Sequence, residues 1–257
     1  MRKCVLSFLL LGTVAAALGA AHLTVAVAAN AEFAAKAVVA DFAKDHDITV
    51  EPVIGASGTF TAQIRNGAPF DVFLSADMAY PQALQQAGLV LDGPRIYAYG
   101  ALALWTMTSI DLGPGLAVLA TPGVRTIAIA NPANAPYGVQ ALAALQRQGL
   151  LERVRAKIVY GESIAQVNSY VLSGAADVGM TATSVVLSPS LAGKGHWVAV
   201  DPAAYDPIAQ GVVLLHPADA DPARAGAARL FYDFLFSDRA RAIFQAFGYR
   251  LPDKGKT

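Results

Sequence analysis

Apolar and polar positions follow one another along the chain as short strand-like runs separated by longer helix-like segments. In a first series, strand-like runs at residues 23–28, 48–54 and 71–74 enclose segments with helical periodicity at 33–42 and 61–66. A regular alternation of strands and helices is typical of α/β proteins whose strands are mostly parallel. The pattern therefore predicts an α/β fold with largely parallel sheets.

A second series repeats this alternation further along the chain. It has predicted strands at 102–107, 126–130, 157–160 and 178–181, and predicted helices at 139–148 and 165–172. A strand at 211–215 then precedes a helical region, 223–247, whose aromatic residues indicate core packing. Two series of elements predict two lobes.

The first 21 residues form a predicted signal peptide. Arg2 and Lys3 precede an apolar stretch that ends in small residues, with cleavage expected after Ala20 or Ala21. The apolar stretch has about 15 residues and is short for a transmembrane helix, because roughly 20 residues are needed to span a bilayer. The single cysteine, Cys4, falls inside it. The exported chain is therefore predicted to have no disulfide and no thiolate metal site.

Charge argues against nucleic acid as a partner. The chain has 19 basic and 19 acidic residues, and without Arg2 and Lys3 it has 17 and 19, a net charge of −2. Nucleic-acid binding calls for a basic patch, which the sequence lacks.

Four predicted helix starts follow predicted strands, at Asn30, Ser57, Pro136 and Ser163, and Gln166 gives the last of them the spacing of a capping box. In an open α/β sheet such turns lie at the edge where ligands bind. A helix N-terminus presents unpaired N–H groups and partial positive charge, so several together can hold an anion. Asn and Ser are also the preferred N-caps, and ordinary capping stays open as the alternative.

No catalytic motif was found. Ser57 lies in a sequence that resembles a nucleophile elbow, but the second glycine of that motif is replaced by Thr59. The four histidines of the chain lie outside recognisable catalytic or metal motifs, and no phosphate-binding glycine loop is present. We predict a protein that is not an enzyme, and keep a secreted serine hydrolase acting through Ser57 as a remote alternative.

Five segments together resemble the periplasmic molybdate-binding proteins of ABC transporters, over about residues 23–252. They are VAVAANAEF, GASGTFTAQIRNGAPFDVFLSAD, NPANAPYG, YGESIAQVNSYVLSGAADVG and PIAQGVVLL. The resemblance implies a type II two-lobed binding-protein fold with a ligand cleft between the lobes. Lobe 1 would comprise residues 22–100 plus 212–257 and lobe 2 residues 101–211, with hinge crossings near 98–102 and 205–212.

The resemblance also implies a function. A protein of this family captures molybdate or tungstate in the periplasm and delivers it to a membrane ABC permease. We expect a monomer without a cofactor, with molybdenum bound only as the oxyanion and without direct protein–metal ligands. The same fold binding another anion, such as sulfate or an organic anion, stays open as the alternative.

Five site residues are transferred through the matching motifs. Ser57 is expected to donate its hydroxyl, and Ala29, Tyr137 and Ile164 their backbone amides. Asn30 takes a position that many relatives fill with serine, and we expect it to cap its helix and to turn its side-chain amide toward the oxyanion. Some relatives add a tyrosine hydroxyl, but the segment 180–183 of this chain has no tyrosine.

Overall fold

The computed structural model describes residues 21–216 and 221–253. The predicted signal peptide lies outside these ranges except for Ala21, which begins the first strand. The strands are β1 (Ala21–Ala28), β2 (Ile48–Gly55), β3 (Val72–Leu74), β4 (Val90–Gly100), β5 (Leu102–Thr106), β6 (Ile127–Ala130), β7 (Ile158–Gly161), β8 (Val178–Ala182), β9 (His196–Ala199) and β10 (Ile208–Leu215).

The α-helices surround these strands. They are α1 (Glu32–Phe42), α2 (Ser57–Arg65), α3 (Ala79–Gln86), α4 (Pro136–Arg147), α5 (Leu151–Val154), α6 (Ile164–Leu172), α7 (Thr183–Val186), α8 (Pro222–Phe234) and α9 (Asp238–Ala246). Short 3-10 helices lie at Ala29–Ala31, Gly115–Ala120, Arg155–Lys157 and Pro202–Ala204.

The strands form two sheets with the same internal plan. The first has the order β2-β1-β3-β10-β4 and the second the order β7-β6-β8-β5-β9. In each sheet the first three strands are parallel, and the fourth pairs antiparallel with both of its neighbours. Four strands of each sheet therefore run in one direction. The predicted two-lobed α/β fold is confirmed, with each sheet mixed through one reversed strand.

Both faces of the first sheet are covered, which explains the continuous apolar run of β1. Leu23, Val25 and Val27 pack with side chains of α1, α8 and α9, whereas Ala26 packs with Phe60 and Phe73 on the opposite face. The aromatic residues of the predicted helical region belong to the first of these clusters. The region is not continuous, however, because α8 ends at Phe234 and Ser237 caps a new helix by accepting a hydrogen bond from the Ala240 N–H.

The chain crosses between the sheets at two places. The first crossing joins β4 to β5 at residues 100–102, and the second joins β9 to β10. The Leu102 N–H donates to the Tyr205 hydroxyl at 3.1 Å, which ties the two crossings together. Because Ile208 pairs with Gly100, all of β10 lies in the first sheet, whereas the family resemblance implies a second lobe that extends to residue 211.

Candidate functional site

A small cavity lies between the two sheets, where four helix starts meet. It is lined by Ala28, Ala29, Asn30, Gly55, Ala56, Ser57, Ala76, Ala135, Pro136, Tyr137, Ser163 and Ile164. The centre of a water molecule can occupy only about 10 Å³ of it, roughly the size of one water site. All five predicted site residues are among these lining residues. The cavity is of the size of a small inorganic ion rather than of a sugar or an amino acid.

The fold explains why the helix starts converge. The 3-10 helix at Ala29–Ala31 follows β1, α2 follows β2, α4 follows β6 and α6 follows β7. The strands of each pair are parallel neighbours, so their carboxyl ends lie at the same edge of their sheet. The two edges face each other across the cavity. Each lobe therefore contributes two helix starts, and each start brings N–H groups without an intrahelical acceptor.

Ser57 has a free hydroxyl hydrogen at the cavity. It is the first residue of α2 rather than its cap, since the N-cap is Ala56 and makes no side-chain hydrogen bond. The Ser57 Oγ accepts a hydrogen bond from the Ala76 N–H at 3.0 Å, and the residue is 1% exposed. With one of its two lone pairs engaged in this way, the hydroxyl can still donate one hydrogen bond into the cavity.

The prediction that Asn30 caps its helix was wrong. Asn30 lies inside the 3-10 helix Ala29–Ala31. The N-cap residue of α1 is Ala31, and no side chain makes a capping hydrogen bond there. Its amide nitrogen donates to the Gln210 Oε1 at 2.9 Å and to the Tyr249 hydroxyl at 3.1 Å. In this structure the side-chain donors of Asn30 are thus engaged within the protein. The backbone N–H groups of Ala29 and Asn30, in the first turn, are the donors this segment can offer.

The helix starts of the second lobe present Tyr137 and Ile164. Pro136 occupies the first turn of α4, as predicted, and the Tyr137 N–H follows it at the cavity. Ile164 is the first residue of α6 and is 3% exposed. The N–H groups of both residues lie where helix geometry provides no acceptor.

The predicted capping box at Ser163 is not formed. Ser163 is the N-cap of α6 by its backbone, but its side chain makes no capping hydrogen bond. The Gln166 Oε1 accepts instead from the Glu162 N–H, at 2.6 Å. The Ser163 hydroxyl, on a residue that is 9% exposed, therefore lies at the cavity without a capping role. The spacing of Ser163 from Gln166 indicates a cap, and the residue is therefore not among the predicted donors.

The two lobes touch directly around the cavity. The Gly58 N–H of α2 donates to the Asn134 carbonyl at 2.8 Å, and the Tyr80 hydroxyl donates to the Ala133 carbonyl at 3.3 Å. Behind the cavity, the Ser184 hydroxyl donates to the Asn30 carbonyl at 2.7 Å. A ligand in the cavity is thus enclosed by donors of both lobes.

The electrostatics of the site come from the backbone. Among the described residues that line the cavity there is no lysine, arginine, histidine, aspartate or glutamate. Each helix N-terminus carries roughly half a positive charge, and the four starts bring this potential to one point. Such an arrangement can bind an anion without a counter-charge and offers no general base for catalysis.

The described residues give no sign of a metal site or of a membrane span. Within residues 21–216 and 221–253, no group of three or more His, Cys, Asp or Glu side chains could hold a metal ion. In the same part of the chain, no helix combines the length and the apolar character needed to cross a membrane.

A two-lobed α/β fold with a small enclosed site between its lobes is the architecture of solute-binding proteins. The chain belongs to the family described as bacterial extracellular solute-binding proteins, whose profile matches residues 23–250. It is similar to two curated proteins called molybdate-binding protein ModA. The one from Azotobacter vinelandii is 38% identical, over 93% of this chain and 94% of the relative. The one from Rhodobacter capsulatus is 37% identical, over 90% of this chain and 88% of the relative.

A solved structure shares this architecture. The periplasmic molybdate-binding protein of Azotobacter vinelandii superposes with a TM-score of 0.83 at 35% identity, covering 90% of this chain and all of that one. Membership of this family gives the chain a role in binding a solute.

Proposed function

We propose that this chain captures molybdate or tungstate between its two lobes and delivers the oxyanion to a membrane ABC permease. One observation carries the proposal: four helix starts, two from each lobe, meet at a small cavity that no charged side chain lines. The names of the relatives point to the same ligand. Export to the periplasm through the signal at residues 1–21 and a monomeric state complete the proposal.

The proposed donors are the Ser57 hydroxyl and backbone N–H groups of Ala29, Asn30, Ser57, Tyr137 and Ile164. A hydrogen bond to a charged group contributes about 1.5–3 kcal/mol, so a set of this size can offset much of the desolvation of a dianion. The expected lobes comprise residues 22–100 plus 212–257 and residues 101–211, and the pairing of β10 moves their border to residue 208. The two lobes would close about the chain crossings near residues 100 and 205. Closure completes the donor set, so the ligand favours the closed state.

Size and protonation supply the discrimination. Backbone N–H groups donate only, so a phosphate that keeps a proton leaves its O–H with few acceptors, at a cost of about 1–3 kcal/mol. Sulfate is fully deprotonated but smaller than molybdate, and a cage fitted to the larger ion leaves its hydrogen bonds long. We therefore expect molybdate and tungstate to bind more tightly than sulfate or phosphate.

Isothermal titration of the ligand-free protein with these four oxyanions tests the proposal. We expect one-to-one binding of molybdate and tungstate, weakened roughly tenfold or more in Ser57→Ala, since a donor to a charged group is lost. Ser169→Ala is the matched control, because its hydroxyl lies on the outer side of α6 and donates to the Ala165 carbonyl. Binding of sulfate as tight as that of molybdate would favour the alternative of another anion.

The hydrolase alternative has no supporting observation. The Ser57 Oγ accepts from a backbone N–H, and among the described residues the lining of the cavity includes no histidine that could serve as its base. Turnover of an ester substrate that is lost in Ser57→Ala would revive it.

A further inference from the structure

Directly behind the cavity, Gln210 joins the two lobes through its side-chain amide. Gln210 lies in β10, near the second crossing, and is 0% exposed. Its Oε1 accepts hydrogen bonds from the Asn30 Nδ2 at 2.9 Å and from the Tyr97 hydroxyl at 2.7 Å. Its Nε2 donates to the Tyr137 hydroxyl at 3.2 Å. Asn30 and Tyr97 belong to the first lobe, and Tyr137 belongs to the second.

Asn30 is held from both lobes as well. Its carbonyl accepts from the Tyr249 hydroxyl at 2.9 Å and from the Ser184 hydroxyl at 2.7 Å. Tyr249 lies in the C-terminal segment of the first lobe, whereas Ser184 lies in α7 of the second. Of the two contacts that fix the Asn30 carbonyl, the one from Tyr249 lies within the first lobe, and the one from Ser184 exists only while the lobes touch.

The close approach of Tyr137 to Gln210 depends on Gly100. A Cβ atom at position 100 would lie 2.0 Å from the Tyr137 hydroxyl and 2.4 Å from the Gln210 Nε2. Contacts this short are sterically forbidden, so only glycine at the first crossing leaves room for this interlobe hydrogen bond. The hydrogen bond between Tyr137 and Gln210 thus requires the glycine at the first crossing. We take this requirement as a sign that the contact is specific.

All members of the network are neutral at physiological pH. Burial raises the pKa of the Tyr97 and Tyr137 hydroxyls well above the ordinary value, and raises that of Tyr249 to about 12. The network can thus sit next to an anion without repelling it. A buried polar network that is fully satisfied also holds its members in one arrangement.

We propose that Gln210 is a positioning residue for oxyanion binding, which couples closure of the lobes to alignment of the Asn30 and Tyr137 donors. This inference rests on the proposed function, since it concerns the same cavity. Gln210 is absent from the residues that line the cavity, and it acts through the two side chains that it connects. Its loss is therefore expected to speed ligand release rather than to remove a contact with the ligand.

The test uses Gln210→Met, Tyr137→Phe and the double variant, with molybdate as the probe. Tyr137→Phe removes only the hydroxyl and keeps the backbone N–H, so it preserves the proposed donor. We expect each single variant to weaken molybdate binding about tenfold, the order of effect of one buried hydrogen bond, mainly through faster dissociation in stopped-flow experiments. Since both changes remove the same interlobe hydrogen bond, the double variant should bind molybdate no more weakly than Gln210→Met alone.

Two controls separate positioning from stability. Gln85→Met removes a glutamine that donates to the Gly93 carbonyl on the surface of the first lobe, and it should leave binding unchanged. Thermal unfolding of ligand-free Tyr137→Phe measures its effect on stability, and the rise of the melting temperature on adding molybdate should be smaller in this variant than in the wild type. Tyr137→Phe also keeps the test valid if Gln210→Met does not fold.

The outcomes are distinguishable. Wild-type affinity and dissociation rate in Tyr137→Phe, or full additivity in the double variant, would overturn the inference and leave the proposed function intact. A wild-type protein that binds no molybdate, tungstate, sulfate or phosphate would overturn the proposed function, and this inference with it.

Discussion

At the scale of single residues, two serine hydroxyl groups distinguish the cavity from a set of ordinary helix N-termini. Ser57 and Ser163 both line it, and neither hydroxyl caps its own helix. Ser57 is oriented by the Ala76 N–H, whereas the Ser163 hydroxyl is not held by a cap and can rotate. The first is thus a prepared donor, and the second can adjust to the oxygen atoms of the ligand.

Ser163→Ala is expected to weaken molybdate binding by a modest factor, about three- to tenfold, since it removes one donor from several. The fold should persist, because the hydroxyl makes no capping hydrogen bond. Titration calorimetry measures the affinity and thermal unfolding measures the stability. Ser169→Ala, in the same helix and with its hydroxyl directed to the Ala165 carbonyl, is the control. An affinity of Ser163→Ala equal to that of this control would exclude Ser163 from the donor set.

Residue types alone could identify the site but not the direction of every side chain. Asn30 and Ser57, both predicted as site residues, line the cavity in the structure, because polar residues directly after apolar strands lie at a sheet edge. Whether Asn30 turns its amide toward the cavity or away from it depends on Gln210 and Tyr249, which are 180 and 219 residues distant in sequence. Gln210 itself gave a weak signal, as a polar residue within an apolar strand.

At the scale of elements, the sequence predicted those with clear periodicity and missed those with local turn signals. The apolar runs of β1, β2 and β6 were found close to their observed bounds. The strand β4 was missed because Asp92, Gly93 and Pro94 are typical of a turn. In the structure Gly93 has a φ of 103°, and β4 continues through this position. The pairing between β4 and β10 shifts its register there.

Two glycines inside helices give an element-scale prediction with an internal control. A Cβ atom on Gly138, in α4, would lie 1.9 Å from the Ala130 carbonyl oxygen at the end of β6, whereas one on Gly226, in α8, would meet no atom within 4 Å. Gly138→Ala must therefore push the start of α4 away from β6, and with it the Tyr137 N–H. The cost is expected to be in the range of overpacking, about 1–3 kcal/mol.

Gly226→Ala should instead be neutral or should stabilise the protein by about 0.5–1 kcal/mol, since alanine has the higher helix propensity. Denaturant unfolding measures both variants. Gly138→Ala should lower the midpoint and also weaken molybdate binding, and Gly226→Ala should do neither. Equal stability of the two variants would show that α4 does not need its close contact with β6.

At the scale of the whole molecule, the two lobes are linked by neutral groups. Tyr97, Tyr137 and Tyr249 are each no more than 4% exposed and meet Asn30 or Gln210 between the sheets. An ion pair between Arg224 and the buried Asp71 lies away from this contact, within the first lobe. Because the lobe contact holds uncharged donors and acceptors, its strength is expected to depend little on salt and on pH near neutrality.

The contact between the two lobes is expected to weaken at alkaline pH. Burial raises the pKa of Tyr249 from 10.0 to about 12 and moves the pKa values of Tyr97 and Tyr137 well above the ordinary value. The folded state therefore keeps protons that the unfolded chain releases. The stability from Tyr249 is fully present below pH 10, and it is lost as the pH rises from 10 toward 12.

For Tyr249 alone the loss amounts to about 2–3 kcal/mol, at 1.36 kcal/mol per unit of pKa. Denaturant unfolding at steps between pH 8 and 11 should show a free energy of unfolding that declines above pH 10, and less steeply in Tyr249→Phe, which has no proton to lose. Tyr160→Phe is the control, since it is the same substitution at a residue that is 49% exposed. Parallel curves for the wild type and Tyr249→Phe would contradict a buried, neutral Tyr249 at the junction of the lobes.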